Sequence, residues 1–223
     1  LGSWREPWLL TFRDVTSPTN ERTLVSTVTP RAAVGHKTPL VLSEHNNLAL
    51  HALLSSFVVD YLSRQKVGGT SMTYFFVRQF PVVSPDGLAQ IPDWATCSFE
   101  VFFTQRSLEL HYTSHEMSGL ARAFHSFDGP FKWDAERRKS LHAEIDAAAF
   151  RLYGLQRNHV EYIMETFPIV KRKDIAEYGE YRTKRLILEV YDAMQHAIDT
   201  GTEYQTILDP PPGHGPRHPA KEH

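Results

Sequence analysis

Several short residue groups have the types, though not all the parts, that chemistry would need. "PDW" at 92–94 and "EVF" at 100–102 are spaced like the acidic pair of a metal-dependent nuclease. In that chemistry a lysine two positions after the glutamate holds charge beside the attacking water, and here that position is Phe102. His111 and His115 stand four apart, a spacing suited to metal on a helix, but His111 falls in a predicted strand and no third ligand accompanies them. "DPPP" at 209–212 is close to the Asp-Pro-Pro-aromatic loop that holds an extruded base, with Pro212 where a stacking ring is required. Cys97 has no paired histidine, and neither a nucleophile elbow nor a glycine-rich cofactor loop is present. These absences predict a chain without a catalytic centre or bound metal of its own.

Cations offer a different kind of chemistry, the holding of phosphate. From Arg22 to Arg78 there are six Lys or Arg against two acids, Glu44 and Asp60, although the whole chain has a formal net charge of -2. Arg22, Arg31, His36 and Lys37 flank or occupy the connection between the second and third predicted strands. Lys66, Ser71 and Thr73 cluster around Gly68-Gly69, and Arg78 follows. Such groups suit phosphate contact and base-edge reading in a major groove. For Arg22 the competing role is to hold the "NERT" turn together through backbone hydrogen bonds. A second cationic run, Lys171, Arg172 and Lys173, opens "KRKDIAEYGEYRTKR" and reads as the junction between two helices. Its choices are a DNA backbone clamp, plain solubility or packing against a neighbouring domain.

The elements that must position these groups follow from periodicity. "WLLTFRDV" (8–15), "TLVSTVTP" (23–30) and "PLVL" (39–42) predict strands, with turn chemistry in "TSPTN". Leu50, Leu53, Leu54, Phe57, Val58, Tyr61 and Leu62 predict one amphipathic helix ended by Gly68-Gly69. "MTYFFVRQFPVV" (72–83) and "SLELHYT" (107–113) predict extended chain. Beyond this the pattern is helical. Capping boxes are expected at Thr113/Glu116 and Asn158/Glu161, and an Asp134 cap opens the stripe Leu141, Ile145, Ala148 and Leu152, which Gly154 stops. Pro168 is expected to end a helix. Ile187, Val190, Tyr191, Met194 and Ile198 share a buried face opposite Arg185, Glu189, Asp192 and His196.

The fold class expected is mixed α/β: a small mixed-sheet domain over 1–113, a helical module over 114–200, and a disordered Pro/Gly/His-rich tail over 201–223. With 223 residues, 41% of them hydrophobic, the chain can bury a sizeable core. A single cysteine and the lack of any long apolar run point to the cytoplasm and to no membrane partner. The opening "LGSW", without methionine, is expected to mark a piece of a longer polypeptide.

Four stretches in order, "TNERTLVSTVTP", "LHALLSSFVVDYLSRQKVGG", "VRQFPVVSP" and the run from "LHAEIDAAAFRLYGLQRNHVEYIMETFPIVKRKD" to "YDAM", carry a family resemblance covering about Trp8 to Met194. Together they resemble the target-recognition and C-terminal region of DNA adenine amino-methyltransferases, chiefly the fused restriction-modification enzymes of type IIG and related phage-defence methylases. The resemblance implies a non-catalytic region that reads double-stranded DNA. It implies a methylase domain of the same polypeptide as partner, which binds S-adenosylmethionine outside these residues. The alternative expectation is a structural or protein-interaction module docking onto the methylase or a partner subunit.

Overall fold

A computed structural model of the chain describes residues 4–220. Its architecture is mixed α/β: among the described residues, a three-stranded antiparallel sheet and ten α-helices. The strands are β1 (Trp8–Phe12), β2 (Ser26–Pro30) and β3 (Leu40–Val41), in the order β2-β1-β3. β1 is central, and all five of its residues are buried. Trp8, Leu10 and Phe12 join the main core, whereas Leu9, of opposite parity, is fully buried outside it. β2 ends beside Trp8, while β3 begins beside Thr11, so the connection 31–39 has to run back along the length of β1. That return path carries the first cationic loop.

The predicted long helix is two, α1 (Asn47–Ser55) and α2 (Phe57–Lys66). Ser56 breaks the run with ψ 154°, its hydroxyl donating to the Leu53 carbonyl at 2.7 Å and accepting from Val59 N–H. The fully buried Asp60 of α2 accepts from the backbone N–H groups of Thr23 and Leu24, each at 2.9 Å, from Arg22 Nε at 2.5 Å and from the Ser63 hydroxyl. This ties the turn before β2 to the helix.

Two predicted extended segments are helical instead. Residues 107–111 form the end of α5 (Phe99–His111), in which Ser107, Leu108, Glu109 and Leu110 are all buried. A helix covered on nearly every side loses its 3.6-residue polar stripe, and the remaining Leu-Glu-Leu-His alternation imitates a strand. Residues 74–77 form the single turn α3 (Tyr74–Val77), and Ser84 caps a second short turn, α4 (Pro85–Leu88). Tyr74 and Phe75, whose types favour strands, stand 48% and 71% exposed beside no pairing strand.

In the second half, a 3-10 turn (His115–Met117) leads into α6 (Ser118–Ala123) without a side-chain cap, so the Thr113/Glu116 box does not form. Asp134 caps α7 (Ala135–Leu152) as expected, accepting from Arg137 N–H, and Gly154 with φ 65° follows its end. α8 (Arg157–Glu165) opens on a Gln156/His159 box rather than Asn158/Glu161. Pro168 starts α9 (Pro168–Tyr178) at its first position, where a proline costs no hydrogen bond, so "KRKD" lies inside a helix and not at a junction. α10 (Arg182–Thr200) buries Ile187, Val190, Tyr191 and Met194 and exposes Arg185, Glu189, Asp192 and His196.

The expected boundary near residue 113 is not a gap in packing. One continuous core spans both halves, with Arg106 of α5 paired to Glu144 of α7 at 2.6 Å inside it. Nor do residues 201–220 form a loose tail. Tyr204 and Leu208 are buried, Tyr204 N–H donates to the Trp94 carbonyl at 2.8 Å, and Arg217 lies over Phe131 with its guanidinium 3.7 Å from the ring centroid. The Pro- and Gly-rich composition here encodes an extended path whose polar atoms are satisfied by fixed neighbours. Residues 221–223 of the predicted tail lie outside the described residues. No described helix is long and apolar enough to cross a membrane.

Candidate functional site

The two cationic loops meet on one residue just past β1. Asp14 N–H donates to the Lys37 carbonyl at 3.1 Å, and the Asp14 carbonyl accepts from Met72 N–H at 2.6 Å. The Asp14 carboxylate also pairs with Lys37 Nζ at 2.7 Å. Thr16 N–H donates to the Thr70 carbonyl, and Tyr74 exchanges hydrogen bonds with the backbone of Leu40. Segments 35–40 and 70–74, far apart in sequence, are thereby pinned together with His36, Lys37, Ser71 and Thr73 on them.

The individual residues differ in what they leave free. His36, Lys66, Thr73 and Arg78 are exposed, Ser71 half so, and none of the four basic or hydroxyl groups His36, Lys66, Thr73 and Arg78 has a side-chain partner among the described residues. Lys66 closes α2 and Arg78 closes α3, so both border the 66–78 segment. Arg31 is exposed, but its backbone N–H bonds to the Pro7 carbonyl at the far end of β1. Arg22 is committed to the fold, spanning Asp60 and the Ser55 carbonyl, each at 2.5 Å, with its guanidinium 4.1 Å from the Phe57 ring centroid. Its competing role as a turn brace is the one the geometry displays.

On α9, Lys171 pairs with Glu165 at 2.7 Å and Lys173 with Glu21 at 2.5 Å, while Arg172 is exposed without a partner among the described residues. Lys173 therefore reaches the same 17–22 turn that Arg64 braces from the other helix. Arg64 donates to the carbonyls of Asn20 and Glu21, both at 2.9 Å, and to Thr166 at 2.8 Å. Arg13, exposed next to Asp14, shares a shallow groove with Thr19, Asn20 and Glu21. Sequence reasoning passed over Arg13, which falls inside the predicted strand 8–15; its charge next to apolar Phe12 in an alternating stretch was the available signal.

Among the described residues, no group of three or more His, Cys, Asp or Glu side chains is placed to hold a metal ion. His111 is helical, and Nδ1 donates to the Ser107 carbonyl at 2.7 Å while the ring packs edge-on against His51, centroids 4.2 Å apart. His51 donates from Nε2 to the Ser26 carbonyl, which leaves Nδ1 to accept from the Ser107 hydroxyl. Burial pulls His111 down to about 4, and burial with the neighbouring His111 holds His51 well below the ordinary histidine range.

A second feature has no counterpart in the sequence reading. α7 turns His142 and Asp146 toward a cavity of about 300 Å³ shared with β2, α9 and α10. The chain matches no protein-family model, no curated protein and no solved structure.

Proposed function

We propose that this chain is the DNA sequence-recognition region of a restriction-modification adenine methyltransferase. It holds duplex DNA for a methylase domain elsewhere in the polypeptide, which uses S-adenosylmethionine, and it works in the cytoplasm. The observation that carries this reading is the joining of the two cationic loops at Asp14. Two segments chosen for their residue types become one surface, with His36, Lys37, Ser71 and Thr73 near each other and Lys66 and Arg78 at its border. Exposed backbone at Gly68-Gly69 lets a phosphate approach closely, and neither glycine has a neighbouring atom that hinders it. Lys37 uses one of its three ammonium donors on Asp14 and keeps a 55% exposed side chain. Arg13 extends the basic surface along the 17–22 turn.

The test uses a pool of duplexes randomised over a central window. The wild-type chain is expected to enrich a defined sequence, and His36→Ala with Lys37→Ala to lose that preference. Lys66→Ala and Arg78→Ala should weaken binding to all sequences alike and lower the salt slope by about one each. Absence of any duplex affinity above that of the combined Lys37, Lys66 and Arg78 alanine variant would overturn the proposal.

A protein-docking role is favoured by exposed apolar side chains on the helices, Tyr162 of α8 at 64% and Ile175 of α9 at 46%. The two roles divide the molecule between them: loops toward DNA, helices toward the methylase.

A further inference from the structure

The cavity of about 300 Å³ lies between β2, the first turn of α2, and helices α7, α9 and α10. Lys139, His142, Ala143 and Asp146 are spaced i, i+3, i+4 and i+7 on α7, so a single helix face lines one side. Leu24, Phe57, Leu186 and Ile187 supply an apolar wall. Asp146 is only 4% exposed, and its Oδ1 accepts from Phe57 N–H at 2.7 Å. Its Oδ2 has no donor among the described residues. His142 likewise makes no hydrogen bond among the described residues, although its ring retains exposed surface. His142 lines the cavity while remaining exposed, and the surrounding protein first and the charges of Arg138 and Arg22 second pull it down to about 3.

Two polar groups with uncommitted hydrogen-bonding atoms therefore stand one helical turn apart in a chamber lined both by apolar side chains and by Arg22, Lys139, Asp174 and Arg182. The surrounding charges are already matched. Arg22 is paired with Asp60, Lys139 and Arg182 both with Glu136, and Asp174 accepts from Thr183 N–H at 2.6 Å. With no surplus cation, the chamber suits a neutral molecule rather than a strong anion. A carboxyl oxygen beside an imidazole nitrogen complements an edge on which an N–H and a ring nitrogen are neighbours, and the apolar wall suits a flat ring. We propose that the cavity binds one nucleobase, carried by a free nucleoside or everted from a DNA strand, with its hydrogen-bonding edge on Asp146 and His142 and its ring against the wall formed by Phe57 and Leu186. The free-nucleoside form is independent of the DNA-reading proposal; the everted form rests on it.

The experiment titrates the whole chain with adenosine, guanosine, cytidine and thymidine, and separately with a duplex containing one mismatched pair. The His142 imidazole resonances are followed by NMR. At least one probe should shift them, and the dissociation constant, read by isothermal titration calorimetry, should rise tenfold or more in Asp146→Asn and in His142→Ala. Ala143→Leu, which fills the chamber, should abolish the effect, whereas Gln205→Ala, an exposed position away from the chamber, should leave it unchanged. Circular dichroism melts confirm that each variant is folded. A shift with nucleosides assigns the free source, and a shift with the mismatched duplex alone assigns the everted one. No shift with any probe, or binding that persists undiminished in folded Ala143→Leu, overturns the inference. Because perfect-duplex binding is read at Lys37 and Arg78, failure here leaves the DNA-reading proposal to its own test.

Discussion

Asp14 and Lys37 are joined twice, by a backbone hydrogen bond at 3.1 Å and by an ion pair at 2.7 Å. The carboxylate competes with any phosphate for the same ammonium. Asp14→Asn keeps the backbone bond and removes the competitor. Affinity for duplex DNA should rise, and the slope of log affinity against log salt should steepen by about one phosphate contact, as measured by fluorescence anisotropy from low to physiological salt. The stability change should stay within about 1 kcal/mol, because Lys37 is more than half exposed.

Glu144 is fully buried and accepts from Arg106, the Tyr204 and Thr206 hydroxyls and Ile207 N–H. Removing it strands a buried guanidinium and unties residues 204–207 together. Glu144→Ala should cost about 3–5 kcal/mol in urea unfolding. A chain ending at Gly201 should be destabilised as well, since it uncovers Trp94 and takes three of these donors away.

Arg64 spreads its donors over the carbonyls of Asn20, Glu21 and Thr166 and stacks 3.8 Å from the Phe167 centroid. A lysine has neither the fork nor the flat face. Arg64→Lys should therefore behave nearly as Arg64→Ala, losing about 2 kcal/mol or more, and should accelerate proteolysis within 17–22.

Two sets of buried groups act oppositely on stability as pH changes. Burial raises Asp146 to about 7, so the folded chain keeps a proton that the unfolded chain releases. Its contribution is full below the unfolded carboxyl value and is lost as pH rises through about 7. His111 and His142 are depressed to about 4 and about 3, so their contribution is full above the ordinary histidine value and is lost as pH falls from there toward those values. The histidines outnumber the aspartate, and stability should rise from pH 4 to 6.5. Asp146→Asn should steepen that rise and stabilise the chain above pH 7 by at most about 4 kcal/mol, with little change at pH 4, as read from urea midpoints across the range.

Local signals located much of the frame. The β-rich stretches at 8–15, 23–30 and 39–42 contain the three strands, and the Asp134 cap and Gly154 mark the ends of α7 closely. The errors share a cause in tertiary packing. α5 imitated a strand because its polar residues, Arg106 and Glu109, are buried against Glu144 and Arg137. Residues 201–220 imitated disorder because what orders them lies elsewhere, on Trp94, Glu144 and Phe131. At the candidate site, residue type and loop position singled out His36 and Lys37, but only a long-range backbone bond reveals that 70–73 lies beside them. His142 and Asp146 escaped notice because a polar pair on a largely buried helix has the same spacing whether it meets solvent, core or a chamber.

Asp60 gives the proposed recognition surface its mechanical character. A carboxylate closed off from water and held by four donors cannot let the 20–24 turn drift without dragging α2 along. The basic loops at either end of that unit are consequently preorganised, and a partner that docks on them has little ordering entropy left to overcome.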